Sequence, residues 1–442
     1  MKILLVYLPF CTPVSPPYSL TNLHAFLSHN SKQEIKVLDL NIKFHQLKFK
    51  DAQQYFQLDK WGDYEKEASK YHKLSAKVYS ENNSLIVKGE EPEYFDELLQ
   101  EIKNEKPDIV AFSLVYSSQA FYAYTLLKKL NVTTVIGGPC VNKKLISLSD
   151  HHFQNELEFL NFIEKKKHSE LVFDFPLDFS IYNLNEYFTP QTVIPIKTST
   201  TCYYQQCTFC AHYAKVPYKE YPLNNIETTI VKSGKKHFFL IDDMIPLKRL
   251  LELGKIFRKY DAKWGCQLRP TKEFSSEALK TLSSSGLHFV LWGVESGCQK
   301  TLDAIKKGTN VTDIKEVLKN SHNAGIKNVV YTLFGFPGES KEDFIETVNF
   351  LEKNSNYIDL ISVSTFGLHK GTKIFDNPQQ FGITKINEEA RTVLDPKITY
   401  SVKGLSLEEV KKLKKKYSKV INKVNKFPKT INFFREHMFF ID

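Results

Sequence analysis

The stretch TVIPIKTSTTCYYQQCTFC, residues 192–210, runs an apolar segment straight into three closely spaced cysteines. Its first part, 192–199, has the β-branched make-up of a buried strand and ends on Thr and Ser. Its second part places Cys202, Cys207 and Cys210 within nine positions, in a chain with only four other cysteines. A structural zinc site almost always takes four ligands, so three thiolates do not close one. A fourth would have to come from His212 or from a distant cysteine. Three thiolates are, by contrast, a natural set for an iron–sulfur cluster with one iron left open, and an open iron can bind a small molecule directly. A disulfide knot is the weaker reading. Seven cysteines, an odd number, in a long chain without a secretion signal point to a reducing compartment and a cytoplasmic protein. Cys11, Cys140, Cys266 and Cys298 are scattered and read as packing thiols.

The strand that opens this stretch is the first of six. KKHFFLID (235–242), AKWGCQL (262–268), HFVLWGV (288–294), NVVYTLFG (328–335) and LISVSTF (360–366) follow, with helical patterns between them. Six such units predict a partial (β/α)6 barrel over 191–380, whose chemistry gathers at the carboxyl ends of the strands. The cysteine loop lies on that face. Upstream, KILLVYLP (2–9), EIKVLDLN (34–41), DIVAFSL (108–114) and VTTVIGG (132–138) read as buried strands. Helical patterns at 19–30, 90–105 and 118–130 alternate with them. This predicts an α/β, doubly wound, Rossmann-like domain over 1–150, with its ligand crevice at the strand ends. The charged and aromatic segment 45–90 reads as a helical insertion, 151–190 as a connector, and 381–442 as a helical C-terminal region.

The net charge of +10 comes largely from lysine, concentrated in runs such as KKLKKKYSK (411–419). That run lies on an amphipathic pattern, with Leu407, Val410, Leu413, Tyr417, Val420, Ile421 and Val424 on one side and capping-box spacing from Ser406 to Glu409. It reads as a solvated helix face. No arginine-rich patch interleaved with aromatics indicates a nucleic-acid site. The opening MKILLVYLPFCTPVSPP has no small-residue cleavage site. No apolar stretch reaches the ~18 residues that predict a membrane span.

Taken together, these stretches resemble the radical S-adenosylmethionine (SAM) superfamily. The three-cysteine loop with an aromatic before its last cysteine follows the first barrel strand. FFLIDDM (238–244) resembles the second strand and its acidic loop, and CQLRP (266–270) the third strand with its arginine. LWGVESGCQKTLDAIKKG (291–308) and AGIKNVVYTLFGFPGES (324–340) resemble the fourth and fifth. The resemblance implies a [4Fe–4S] cluster on Cys202, Cys207 and Cys210 and a SAM site drawn from Phe209, Asp242, Asp243, Arg269, Glu295, Ser296, Gly335, Pro337 and Gly338. Competing roles stand beside these: a helix cap for the aspartates, a barrel salt bridge for Arg269, a tight strand–helix turn for the glycines. The chain departs from the family in two places. It has C-x4-C-x2-C where C-x3-C-x2-C is usual, and HKGT (369–372) where a Pro-Gly-Thr turn is common.

A doubly wound domain ahead of such a barrel is similar to the cobalamin-binding class of the superfamily. LPFCTPVSPPYSLTNLHAFL (8–27) resembles that class's first loop and helix, and VIGGPCVN (135–142) its Gly-Gly-Pro loop. The resemblance implies cobalamin contacts from Pro9, Ser113, Gly137, Gly138 and Pro139. The D-x-H-x-x-G motif that supplies a histidine to cobalt elsewhere is absent, and SLSDHHFQNELEF replaces the class's usual glycine-containing turn. Two enzyme readings therefore stand: cobalamin-dependent methylation of an unactivated carbon, or a cobalamin-independent oxidoreductase, cyclase or epimerase. A metal-bearing binding module is the non-enzyme alternative. The resemblance also implies an electron donor such as flavodoxin or ferredoxin. The substrate (peptide, lipid or small metabolite) stays open.

Overall fold

The computed structural model describes residues 1–56, 62–168, 174–211 and 216–441. The chain divides into two compact units. The first comprises Met1–Pro195, Pro222–Gly234 and Ala390–Pro396. The span 151–190, expected as a connector, belongs to it. The second comprises Ile196–Tyr221, Lys235–Glu389 and Lys397–Asp442.

The first unit is built on a five-stranded sheet, β1 (Lys2–Tyr7), β2 (Glu34–Asp39), β3 (Ile109–Ser113), β4 (Thr133–Gly137) and β5 (His151–His152). The order is β2-β1-β3-β4-β5 and every pair is parallel. Ile3, Leu4, Leu5 and Val6 are fully buried, as a central parallel strand covered on both faces requires. The strand order reverses between β1 and β3, the switch point at which doubly wound sheets open a crevice. The short β5 escaped sequence reading because two histidines carry no apolar pattern. The expected insertion is present as the long Tyr64–Lys88 helix, closed by Gly89 in the left-handed region at φ 86°.

A six-stranded sheet comprises β6 (Val193–Ile196), β7 (His237–Leu240), β8 (Lys263–Leu268), β9 (Leu287–Glu295), β10 (Lys327–Phe334) and β11 (Leu360–Thr365); β7 to β11 lie in the second unit, and β6 ends on its first residue, Ile196. Neighbouring strands run in chain order, and the pairs from β7 to β11 are parallel. All six predicted strands are present. The helices Leu247–Lys259, Ser276–Ser284, Val311–Asn323 and Lys341–Lys353 lie between successive strands, as a β/α barrel demands.

The region 381–442 is not wholly helical. It begins with an antiparallel pair, β12 (Ile383–Glu389) and β13 (Lys397–Val402). In the first strand a register irregularity between Ile383 and Lys385 breaks the alternation, which hides the pair in the sequence. Their apolar residues Ile383, Ile386, Ile398, Tyr400 and Val402 pack on a cluster that includes Phe336 and Phe366. The predicted lysine-rich helix follows as Leu407–Lys423, with its capping box formed between Ser406 and Glu409.

Candidate active site

The cysteine loop hangs from the end of β6, and its base is tied down by Asp242. That carboxylate, almost fully buried after β7, accepts the Thr198 N–H at 2.9 and 3.0 Å and the Ser199 hydroxyl at 2.6 Å. Burial pushes Asp242 up to about 6, and these hydrogen bonds oppose the shift. The helix after β7 starts behind Pro246, so neither Asp242 nor Asp243 caps it. Asp243 contributes a backbone oxygen, 3.5 Å from the Gln267 amide.

Two contacts pin the loop itself. Thr208 is buried and donates its N–H and its hydroxyl to Ile305 O, at 2.9 and 3.1 Å. Its own carbonyl accepts the Ile374 N–H at 3.0 Å. Tyr204 donates its hydroxyl to Lys306 O at 3.0 Å, and the Arg269 guanidinium lies 3.6 Å above its ring. Gln205 takes a left-handed φ of 50°, which turns the chain within the longer first loop. Lys373 caps this bend, its Nζ 3.3 Å from Gln205 O.

Cys202, Cys207 and Cys210 are each half-buried. Burial pushes the Cys207 thiol up, and the Lys307 ammonium pulls against it. Thiolates around one tetrahedral ion stand ~3.8 Å apart, given a zinc–sulfur bond of about 2.3 Å. Among the described residues the one set of His, Cys, Asp or Glu donors lying wholly within 4.8 Å is Cys298, Asp343 and Glu346, not the loop thiols. Asp343 in the other set is already taken by Lys300 at 2.7 Å and by the Ser340 cap. His212, the considered fourth ligand, lies outside the described residues.

The remaining expected SAM residues divide. Phe209 packs on the apolar cluster of Ile305 and Phe336. Arg269 is buried and donates from Nη1 to Lys307 O at 3.0 Å. Glu295 ends β9 at a bulge opposite Thr332, with φ 64°, and pairs with Lys307 at 2.7 Å. Ser296 is fully buried, its hydroxyl 2.8 Å from that of Thr347 and accepting the Cys298 N–H at 3.1 Å. It shapes the turn into the next helix. Gly335 and Gly338 have φ of 79° and 87°, which few other residues tolerate. Gly335 N–H donates to Glu339 at 2.6 Å, and burial pushes that carboxyl up to about 7. A cavity of about 310 Å³ opens beside Phe336, Pro337, Gly338 and Glu339. Tyr204, Thr208 and Lys307 were not singled out from sequence. The Tyr204 and Thr208 contacts run between positions 102 and 97 residues apart, so no local sequence signal marked them.

At the strand ends of the first unit, Gly138 has φ 111°, and a side chain there would meet Leu114 O at 2.5 Å. The Gly-Gly-Pro loop is therefore folded closely onto the β3 loop. Its outer side is bare, with Gly138 and Pro139 exposed and Tyr116 49% exposed beside them. Pro9 is buried, and Ser113 is half-buried with its hydroxyl bonded to Ser19 at 3.0 Å. Gln119, fully buried and unremarked in the sequence, ties the loops together. It donates to Leu8 O at 2.9 Å and accepts the Val115 and Tyr116 N–H groups. The exposed surface of these loops thus combines Gly138, Pro139 and an aromatic, Tyr116, and their sequences hold no histidine.

Residues 196–351 match the family model of the radical SAM superfamily. An uncharacterized protein of Methanocaldococcus jannaschii is 26% identical over 224 residues, 48% of this chain and 66% of that protein. An uncharacterized methyltransferase of Pyrococcus horikoshii is 22% identical over 398 residues, 78% of this chain and 85% of its own. Among solved structures, the radical SAM methyltransferase TsrM from Kitasatospora setae, with tryptophan substrate and a SAM analogue bound, matches with a TM-score of 0.60 at 14% identity. The match covers 100% of this chain and 89% of TsrM. The cobalamin-dependent radical SAM enzyme OxsB matches with a TM-score of 0.58 at 15% identity, over 86% of this chain and 56% of OxsB. At such identity these structures speak for the fold. The chain thus spans just under two thirds of the first relative and little over half of OxsB.

Proposed function

We propose that this chain, a radical SAM enzyme by its domain at 196–351, is a cobalamin-dependent methyltransferase acting on an unactivated carbon. The observation that carries the reading is the loop of Cys202, Cys207 and Cys210, held open at the barrel's strand ends by Thr208, Tyr204 and Asp242. The three thiols would hold a [4Fe–4S] cluster, leaving one iron for SAM. When bound, the cluster and SAM supply one-electron chemistry ending in hydrogen abstraction from carbon, and cobalamin supplies a methyl carrier.

The chain's own residues orient and exclude. Glu295, locked by Lys307, offers its remaining carboxylate oxygen to donors of the ribose or amino group of SAM. The Gly335–Gly338 turn, open at Gly338, would let backbone approach the adenine. Asp242 and Thr208 act behind the loop by fixing the spacing of its thiols. Tyr116, Gly138 and Pro139 would carry the corrin face. The names of TsrM, OxsB and the P. horikoshii relative support methyl transfer. The residues do not identify the substrate, and the reductant is proposed as a flavodoxin or ferredoxin. Among the described residues no helix is long and apolar enough to cross a membrane.

The test is anaerobic reconstitution of the full chain with iron, sulfide and cobalamin, followed by desalting and a visible spectrum. The account expects a brown protein with about four irons and retained cobalamin. A brown protein that lets cobalamin go would replace methyl transfer with a cobalamin-independent radical reaction.

A further inference from the structure

We propose that the buried Lys307–Glu295 ion pair trims the charge at the cluster site, each partner shifting the ease of cluster reduction in the opposite direction. The inference rests on the cluster assigned above to Cys202, Cys207 and Cys210.

Backbone geometry places the pair there. Thr208 bonds Ile305 O and Tyr204 bonds Lys306 O, so Cys207 lies between two contacts to successive residues of one turn. Lys307 is the next residue in that turn and points inward, with its side chain only 8% exposed. Its Nζ stands 2.7 Å from Glu295 Oε1, and that carboxylate is 14% exposed. The space for the pair is made by Gly293. A side chain there would come within 2.8 Å of Lys307 Nζ and 3.2 Å of Glu295 Oε1. Glu295 reaches the pair from a left-handed backbone at φ 64°, a conformation unfavourable for a non-glycine residue that persists where its surroundings enforce it.

Stability does not explain this arrangement. A buried ion pair contributes little net stability, because desolvating both charges offsets their attraction. Its electrostatic effect on a third charge is large, because little water intervenes. A cluster on three thiolates is anionic and takes on a further negative charge when reduced. Net charge nearby is one of the quantities that sets its potential. A buried ammonium beside Cys207 favours the reduced state, and a buried carboxylate opposes it. Arg269, a second buried cation at the loop among the described residues, is engaged with the Tyr204 ring and Lys307 O and is kept in both substitutions below.

The experiment is a redox titration of the reconstituted full-length protein, followed by electron paramagnetic resonance, with iron content measured first. Lys307→Met should lower the midpoint potential and Glu295→Gln should raise it. The double variant should return close to wild type. Iron-loaded variants whose potentials match wild type, or which both move the same way as simple loosening would cause, overturn the inference. If Lys307→Met loses its iron, Glu295→Gln alone decides: a raised potential supports the trim, and an unchanged or lowered one refutes it. An iron-free wild type would instead refute the cluster itself, and this inference with it.

Discussion

Cys207 sits where burial, a nearby ammonium and two pinned neighbours meet, and its replacement separates cluster chemistry from folding. Cys207 lies in the chain between Tyr204 and Thr208, whose anchors, the Tyr204 hydroxyl on Lys306 O and the Thr208 hydroxyl and N–H on Ile305 O, are left intact by Cys207→Ala. The variant should unfold within a few degrees of wild type and take up far less than the wild-type iron. Equal iron content would remove Cys207 from the ligand set. Glu339 gives a second residue-level expectation, in pH. Burial raises its carboxyl from 4.5 to about 7. The stability tied to its proton is present below the unfolded value and is lost as pH rises through about 7. Glu339→Gln stays neutral throughout. Its stability should match wild type near about pH 5 and exceed it near about pH 8, by up to ~3 kcal/mol. A margin that does not grow with pH contradicts the shift.

Among the elements, the turn Lys306–Gly308 matters as much as the cysteine loop it holds. Gly308 has φ 68°, and a side chain there would meet the Tyr204 hydroxyl oxygen at 2.2 Å and an Arg269 nitrogen at 2.8 Å. Gly308→Ala should detach Tyr204 and cost roughly 1–3 kcal/mol in backbone strain alone. We expect iron uptake to fall more steeply than the melting temperature. A variant with full iron and unchanged stability would show that the turn does not hold the loop. This coupling was hidden in the sequence, because residues 204 and 308 meet only once β6 and β9 share a sheet. The six strands themselves were legible, since parallel strands buried on both faces read as continuous apolar runs. The β12–β13 pair was not, because the irregularity between Ile383 and Lys385 sets Ile383 and Ile386, three positions apart, on one cluster and breaks the period of two. Of the expected site, the loop thiols and Glu295 stood out by residue type. The packing of Ser296 against Thr347 depends on a contact 51 positions away and could not be read locally.

At the scale of the whole molecule, each unit presents the carboxyl ends of a parallel sheet, and each carries its own glycine-containing loop there. The floor of Tyr116, Gly138 and Pro139 gives an expectation for the first unit. Pro139→Glu puts a carboxylate on an exposed loop position, so it should leave stability within ~0.5 kcal/mol of wild type. It should also weaken cobalamin retention by at least tenfold, read by equilibrium dialysis. Unchanged retention would move the corrin elsewhere. The account's central claim lies in the second unit, and release of 5′-deoxyadenosine from SAM by the reconstituted, reduced protein tests it most directly. The account predicts release by wild type at a level tracking its iron content, and none from Cys207→Ala. An iron-loaded wild type that leaves SAM intact under reduction would contradict it.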